Sequence, residues 1–288
     1  MKKLALLAMS SVFAVSAIAQ TQNAKFNEVF FNPPGTDDNK EFVELIGAGS
    51  LTGLTLLSID GDGASAGVID QAISLNSLSF GTNGLLLLRD AQTNIAWVDE
   101  FQAAQAGPSA GTNVTVGDFA PDLENGSNTF VIVSGFTGAV GNDLDTDNNG
   151  TVDTATPWSS VLDAIGVTEN DGAANFEYAT GFGFFGFAAL AFTPDAVFRI
   201  RDGQGNNWVG MDVNGVVGGN YPADLLEVAF QANYNPAVDL AATFAGGQGA
   251  TPGGINEILK QEPVPEPASL AALGLGAMAL IRKRRNRK

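Results

Sequence analysis

The densest set of potential metal ligands in the chain lies between residues 143 and 153. This segment reads Asp-Leu-Asp-Thr-Asp-Asn-Asn-Gly-Thr-Val-Asp, so oxygen-bearing side chains recur at alternate positions from Asp145 onward. Carboxylate, amide and carbonyl oxygens are the ligands that calcium takes in proteins, and Gly150 permits the sharp turn that lets them converge. The spacing predicts a calcium site with ligands Asp145, Asp147, Asn149, Thr151 (through its carbonyl) and Asp153, and accessory residues Asp143 and Asp163.

This pattern matches only the first half of an EF-hand-type loop. Counted from Asp145, Asp stands at positions 1, 3 and 9, with Asn at 5 and Gly at 6. Position 12, where that loop supplies a bidentate Glu, is Thr156, and Pro157 follows it. We therefore expect weak affinity, with a Kd of about 10⁻⁴–10⁻³ M as in extracellular modules. The alternative is an acidic turn that is only hydrated. Two shorter acidic loops, Asp37–Asn39 and Asp60–Gly63, are lesser candidates.

The residue types that the chain lacks narrow the remaining chemistry. The 288 residues include no His and no Cys. Their absence excludes the usual zinc sites, disulfides, and Ser-His-Asp or Cys-His catalysis. Glu28 and Glu44 could be taken for a catalytic carboxylate pair, but both lie in predicted strands and no partner base is evident. We therefore assign no catalytic residue and expect a protein that is not an enzyme.

The elements that must position these residues are short β-strands. Apolar runs alternate with turn signals such as Asn83-Gly84 and Asn125-Gly126, and no long helical periodicity is present. The one short helix candidate is Leu225–Ala232. This pattern predicts an all-β sandwich. The predicted strands are Phe26–Phe31, Glu41–Ile46, Thr55–Ile59, Gly84–Arg89, Ile95–Asp99, Thr129–Ser134, Ser160–Val167, Phe182–Phe192 and Val197–Arg201.

The first 19 residues have the layout of a secretory signal peptide. Met1-Lys2-Lys3 is basic, Leu4–Ile18 is apolar, and Ala17 and Ala19 form the A-x-A pattern that precedes cleavage. We expect signal peptidase to cut after Ala19 and the chain to be exported through the inner membrane.

The last 25 residues combine a polar motif, an apolar run and a basic end. The motif is Pro265-Glu266-Pro267, the apolar run is Ala268–Ile281, and six of the last seven residues are Lys or Arg. A helix of 14 residues extends about 21 Å, whereas a hydrocarbon core measures about 30 Å. The basic end favours the cytoplasmic side. The tail therefore predicts a short transmembrane helix that anchors the chain transiently.

This arrangement over 264–288 resembles the PEP-CTERM sorting signal. That family is associated with exosortase, a membrane protease-transpeptidase. The resemblance implies that exosortase processes the chain near Pro265, Glu266 and Pro267, and that the product reaches the cell surface or extracellular matrix. Association with exopolysaccharide is implied by the same resemblance.

The part of the chain between these two ends is strongly acidic. Of 14 Lys and Arg, two precede Leu4 and six follow Ile281, whereas all 31 Asp and Glu lie between. The exported part therefore carries a net charge of about −25. Such a surface repels phosphate backbones, so we expect no direct nucleic-acid binding.

Three segments resemble parts of a lamin-tail domain. Phe26–Leu45 contains "NEV", a Pro-rich acidic loop and "EFVEL"; Leu123–Val133 contains "LENGSNTF", with Asn128 where Asp is usual; Thr251–Asn256 reads "TPGGIN". The resemblance implies an immunoglobulin-like β-sandwich over residues 20–256, followed by a linker at 257–263. Because that family's domain is about half this length, we expect insertions near 60–78 and 140–175.

These features favour a non-enzymatic surface or matrix protein that acts in adhesion or exopolysaccharide association. Lamin-tail domains often accompany exported nucleases and phosphatases, so the resemblance leaves a metal-dependent extracellular hydrolase as the alternative. A lamin-like scaffold or nucleic-acid-associated module is a third hypothesis, which the acidic charge disfavours.

Overall fold

The computed structural model describes residues 23–33, 40–91, 96–98, 104–117, 119–188, 190–201, 206–216, 223–230, 251–254 and 256. Within these ranges the chain forms fourteen β-strands and one short 3₁₀ turn, without an α-helix. In chain order the strands are β1 Asn23–Phe30, β2 Phe42–Ala48, β3 Leu54–Asp60, β4 Ile69–Ser74, β5 Leu85–Asp90, β6 Ala96–Val98, β7 Ala104–Ala106, β8 Asn113–Gly117, β9 Asn128–Ser134, β10 Ser160–Val167, β11 Phe185–Phe187, β12 Ala196–Arg201, β13 Asn206–Val216 and β14 Ala223–Phe230.

The strands form two large mixed sheets. The seven-stranded sheet has the order β14-β13-β12-β1-β2-β5-β8, and the five-stranded sheet has the order β11-β10-β9-β3-β4. The β5–β8 and β10–β11 pairs are parallel, and the other pairs in these sheets are antiparallel. Strands β6 and β7 form a separate hairpin. The prediction of an all-β protein is confirmed.

The main core lies between the two sheets. Val43 and Leu45 of β2 and Leu54 and Leu56 of β3 belong to one fully buried cluster. Each pair is two residues apart, so both members point to the same face of their strand. Because one cluster draws on strands of both sheets, the sheets pack face to face.

A second core covers the outer face of the five-stranded sheet. It contains Leu57 and Ile59 of β3, Val131 of β9, and Leu144 and Tyr178 from the connections outside the sheet. Strands β3 and β9 are therefore buried on both faces, which explains their nearly continuous apolar sequences.

The two regions in which we expected insertions supply parts of this second sheet. Residues 60–78 contain β4, which pairs with β3, and residues 140–175 contain β10, which pairs with β9. The latter region also contributes Leu144 to the outer core. Both regions are therefore part of the five-stranded sheet itself and are not additions outside it.

The predicted helix at Leu225–Ala232 is wrong. Residues 223–230 form β14, which pairs antiparallel with β13 through partners such as Asp212 and Glu227. A neighbouring strand edge supplies backbone hydrogen bonds, and these override a weak local helix preference.

The predicted strand Phe182–Phe192 is shorter in the structure, where only β11 is extended, because Phe182 lies in a turn whose amide donates to the carbonyls of Tyr178 and Ala179. The other predicted strands coincide with observed strands to within a few residues.

No helix in the described part of the chain is long and apolar enough to cross a membrane. The predicted signal peptide with Ala17 and Ala19, the acidic loop Asp37–Asn39, and the tail with Pro265, Glu266 and Pro267 lie outside the described residues.

Candidate functional site

The predicted calcium loop is fastened to the outer side of the five-stranded sheet. Leu144 is buried in the outer core, and its amide donates to the carbonyl of Gly67 at 2.9 Å. Its own carbonyl accepts from the amide of Asp153 at 2.9 Å, so the two ends of the loop are joined at its base. The acidic segment is therefore a closed, anchored turn.

Asp145 lies at the centre of this loop and is fully buried. Its carboxylate accepts from the amides of Asn149 at 3.1 Å and Gly150 at 2.7 Å, and from the Tyr178 hydroxyl at 2.9 Å. Burial by itself would raise the pKa of Asp145, but these hydrogen bonds outweigh it and lower the pKa. Burial and the neighbouring Asp145 charge raise the pKa of Tyr178. Asp145 is consequently a fixed anion paired with a neutral phenol.

Three of the predicted ligands converge. Carboxylate oxygens of Asp145, Asp147 and Asp153 lie within 4.8 Å of one another, with Asp147 and Asp153 exposed to solvent. Asp153 also accepts from the Thr146 hydroxyl at 2.7 Å. The Oδ1 atom of Asn148 is buried and has no hydrogen-bond partner among the described residues. An all-oxygen donor set of this kind suits a hard cation such as calcium.

The other predicted ligands divide into two groups. Asn149 and Thr151 are exposed residues of the same loop, and Asp143 accepts from the amide of Asp145 at 3.0 Å. Asp163 is elsewhere: it accepts from the Phe26 amide at 2.8 Å and pairs with Arg199 at 2.7 Å. The structure therefore does not bring Asp163 to the loop, because its carboxylate is already engaged with residues of the seven-stranded sheet.

A second acidic cluster joins residues that are distant in sequence. Carboxylate oxygens of Asp60 (β3), Asp70 (β4) and Glu124 lie within 4.8 Å of one another. Burial, together with the charges of Asp60 and Glu124, raises the pKa of Asp70 to about 6. Burial and neighbouring carboxylates also raise the pKa values of Asp60 and Glu124. The sequence predicted only the Asp60–Gly63 loop as a candidate. Asp70 and Glu124 are isolated acidic residues in the sequence, and the pairing of the strands brings them close to Asp60.

Glu28 and Glu44 are buried neighbours on β1 and β2, not an open catalytic pair. Both are fully buried and face each other in the strand register. Glu28 accepts from the Thr251 amide at 3.0 Å, and Glu44 accepts from the Gly253 amide at 2.8 Å. A side chain of Asn27 also donates to Glu44. The two carboxylates hold the closing segment of the domain and are not accessible to a substrate.

One cavity of about 200 Å³ opens at the sandwich edge between β4 and β8. Its walls are mostly apolar, which suits an apolar group better than a sugar ring with many hydroxyls. Its lining includes Ile73, Leu78, Leu88, Thr115, Gly117 and Phe119.

Comparison with known proteins yields one match, in the tail. The PEP-CTERM protein-sorting motif matches residues 263–285. No curated protein and no solved structure matches the chain. The predicted sorting signal is therefore confirmed; it implies export, transient membrane anchoring, processing by exosortase, and a surface or extracellular fate. The lamin-tail resemblance has no such support and stays a hypothesis.

Proposed function

We propose that the chain is a non-enzymatic protein of the cell surface or extracellular matrix, which acts in adhesion or association with exopolysaccharide. The observation that carries this proposal is the sorting motif at 263–285, because it directs the folded part to the outside of the cell. The net charge of about −25 on that part keeps it soluble there and favours cationic or cation-bridged partners.

Calcium is the cation that we assign to the Asp145 loop. The support is the convergence of the Asp145, Asp147 and Asp153 carboxylates on an anchored turn. Because two of these three residues are exposed and no bidentate Glu follows, the affinity falls in the range of extracellular modules, about 10⁻⁴–10⁻³ M. Calcium bound at this loop would reduce the negative charge on the outer face and could bridge to acidic polysaccharide.

We further propose that the domain is an immunoglobulin-like, lamin-tail-like sandwich. The supporting observation is that the first and last of the resembling segments meet in space. Glu28 of "NEV" and Glu44 of "EFVEL" bind Thr251 and Gly253 of "TPGG" through hydrogen bonds. The same interactions explain why acidic residues occupy two buried strand positions.

Processing is tested by mass spectrometry of the protein isolated from its own cells. We expect a mature carboxyl terminus near Pro265–Pro267. A protein that retains Lys288 would show that the sorting signal is not used.

Polysaccharide association is tested by co-sedimentation of the purified protein with exopolysaccharide from the same cells. We expect retention in 2 mM calcium, about the concentration at which the loop would fill, and loss with a chelator. The D145A/D147A variant should not be retained in calcium, whereas D171N, which changes one exposed carboxylate outside the loop, should behave like the wild type. Equal recovery of all forms with and without calcium would contradict the proposal.

A metal-dependent hydrolase is the second candidate function, and the Asp60–Asp70–Glu124 cluster favours it. Three converging carboxylates can hold a divalent ion, and a carboxyl with a pKa of about 6, like that of Asp70, is suited to proton transfer near neutral pH. The test is a screen of phosphodiester and glycoside substrates with magnesium or calcium. Turnover that D70N abolishes and D147N preserves would replace the non-enzymatic proposal.

A further inference from the structure

The closing segment of the domain is held by a clasp of buried polar groups. We define the clasp as Thr251, Gly253 and Asn256 on one side, with Glu28 and Glu44 on the other. Thr251 and Asn256 are 5% and 2% exposed, and both glutamates are fully buried. A residue that does not belong to the clasp also holds this segment, because the Gly253 carbonyl accepts from the Ser109 amide at 2.7 Å.

The side-chain amide of Asn256 has a defined orientation in this clasp. Its Nδ2 donates to the backbone carbonyls of Asn27 at 2.7 Å and Arg199 at 3.0 Å. The opposite orientation would place Oδ1 against two carbonyl oxygens, which cannot donate. Oδ1 of Asn256 therefore faces Thr251, whose Oγ1 lies 2.7 Å away.

The Thr251 hydroxyl is placed between two oxygen atoms but carries one proton. Its Oγ1 lies 2.7 Å from Asn256 Oδ1 and 2.7 Å from Glu28 Oε2. An amide oxygen can only accept, so Oδ1 of Asn256 is satisfied only if the Thr251 hydroxyl donates its proton to it. Both short contacts of this hydroxyl are then hydrogen bonds only if the carboxyl group of Glu28 carries a proton of its own.

The surroundings of Glu28 favour the same protonation state. On β2, its register partner is Glu44, a second carboxylate. On β12, its register partner is Phe198; the adjacent Arg199 directs its guanidinium to Asp163 at 2.7 Å. The described residues of the closing segment include no ionisable side chain. Burial raises the pKa of Glu28 to about 7, although the hydrogen bond that the Thr251 backbone amide donates opposes the shift.

The position of the clasp gives it a consequence for sorting. Six residues separate Asn256 from the start of the sorting motif at residue 263. Even fully extended, this stretch reaches at most about 25 Å. A closed clasp therefore keeps the folded domain close to the tail that exosortase processes, and an open clasp lengthens that tether by the segment Thr251–Asn256.

We propose that a neutral Glu28 closes this clasp, and that Glu28 and Thr251 thereby position the sorting tail relative to the folded domain in a proton-dependent way. When Glu28 loses its proton, its Oε2 no longer donates to Thr251, and a buried charge remains beside Glu44. The closing segment then separates from β1 and β2. This mechanism is independent of calcium and polysaccharide binding, so its test does not depend on the proposed function.

The test is hydrogen–deuterium exchange of the full-length protein in detergent, followed by mass spectrometry of peptides that contain Thr251–Gly254. Rates are corrected for the intrinsic effect of pH. In the wild type we expect protection of this segment to fall by up to about tenfold per pH unit between pH 5.5 and pH 7 and to level off above pH 7, because over that range the closed state keeps a proton that the open state has released. Protection that stays constant from pH 5.5 to 8.5 would overturn the proposal.

Two variants separate a neutral from an ionised Glu28. E28Q reproduces the neutral acid, because its amide donates to Thr251 Oγ1 and its oxygen accepts from the Thr251 amide; we expect full protection at every pH. T251V keeps the side-chain volume but removes the hydroxyl, and should be unprotected at every pH. If E28Q were as open as T251V, Glu28 would be shown to act as an anion. Should E28Q not fold, the carboxyl ¹³C shift of Glu28 in the wild type decides: ionisation already complete at pH 5.5 would equally reject the proposal.

Discussion

Asp163 and Arg199 form a buried ion pair, 2.7 Å between Oδ2 and Nη2, that joins the two sheets across the core. Asp163 belongs to β10 of the five-stranded sheet, and Arg199 belongs to β12 of the seven-stranded sheet. Both also bond to the backbone of Phe26 on β1, Asp163 to its amide and Arg199 to its carbonyl. The guanidinium lies 4.2 Å from the centre of the Trp208 ring. Both carboxylate oxygens of Asp163, and the Nε and Nη2 atoms of Arg199, therefore have structural partners.

Removal of one member of this pair should destabilise the domain strongly. We expect D163A to lower the free energy of unfolding by about 3–5 kcal/mol, because Arg199 would remain as an uncompensated buried charge. The double variant D163A/R199M should recover part of that loss. Urea titrations measure these values, and V140A, at an exposed site, should stay within about 0.5 kcal/mol of the wild type. A small effect of D163A would mean that water reaches this pair.

Calcium binding should depend on Asp145 and Asp147 and not on Asp163. Isothermal titration of the wild type should give one weak site with a Kd of about 10⁻⁴–10⁻³ M. At 1 mM calcium, a Kd of 10⁻⁴ M would stabilise the fold by about 1.4 kcal/mol. D145A/D147A should abolish the heat and the stabilisation. Absence of binding at millimolar calcium in the wild type would leave the loop as a hydrated acidic turn.

Gly150 should be required for the shape of this loop. It has φ +83°, and a Cβ atom there would lie 2.4 Å from Cδ1 of Phe176. We expect G150A to destabilise the protein by more than the roughly 1 kcal/mol typical of a left-handed glycine. Gly141 provides the matched control, because its φ is +84° but nothing lies within 4 Å of its Cβ position. Equal unfolding midpoints of G150A and G141A would show that Phe176 moves freely and that the contact is unimportant.

The sequence was a good guide to strands and a poorer guide to what the strands bring together. Alternation and apolar runs predicted β1, β3 and β10 because burial of a strand face is a local, periodic constraint. The same local pattern did not predict β14, because the conformation of that strand depends on its pairing with the edge of β13.

The same distinction applies to the sites. The loop at 143–153 was visible because its ligands are adjacent in sequence, whereas the Asp60–Asp70–Glu124 cluster requires the register of β3 and β4. The clasp closes over 223 residues, and hydrogen bonding at that separation leaves no periodic signal.

The stability of the domain should fall as the pH rises through neutrality, and Glu28 should be the main cause. Its pKa is about 7 in the folded protein, against an ordinary value of 4.5, so the folded state binds a proton that the unfolded state has released between these values. The contribution of Glu28 to stability is therefore greatest below about pH 4.5 and declines between about pH 4.5 and pH 7. Above pH 7 Glu28 is ionised in both the folded and the unfolded state, and its contribution no longer changes. The difference between the two pKa values corresponds to about 3 kcal/mol.

Urea titrations at pH 5 and pH 8 measure most of this change in the free energy of unfolding, and E28Q should remove most of the change. Asp70 acts in the same direction, so D70N is the matched control and should leave the larger part of the slope in place. A pH dependence that survives E28Q but disappears in D70N would assign the effect to the acidic cluster instead.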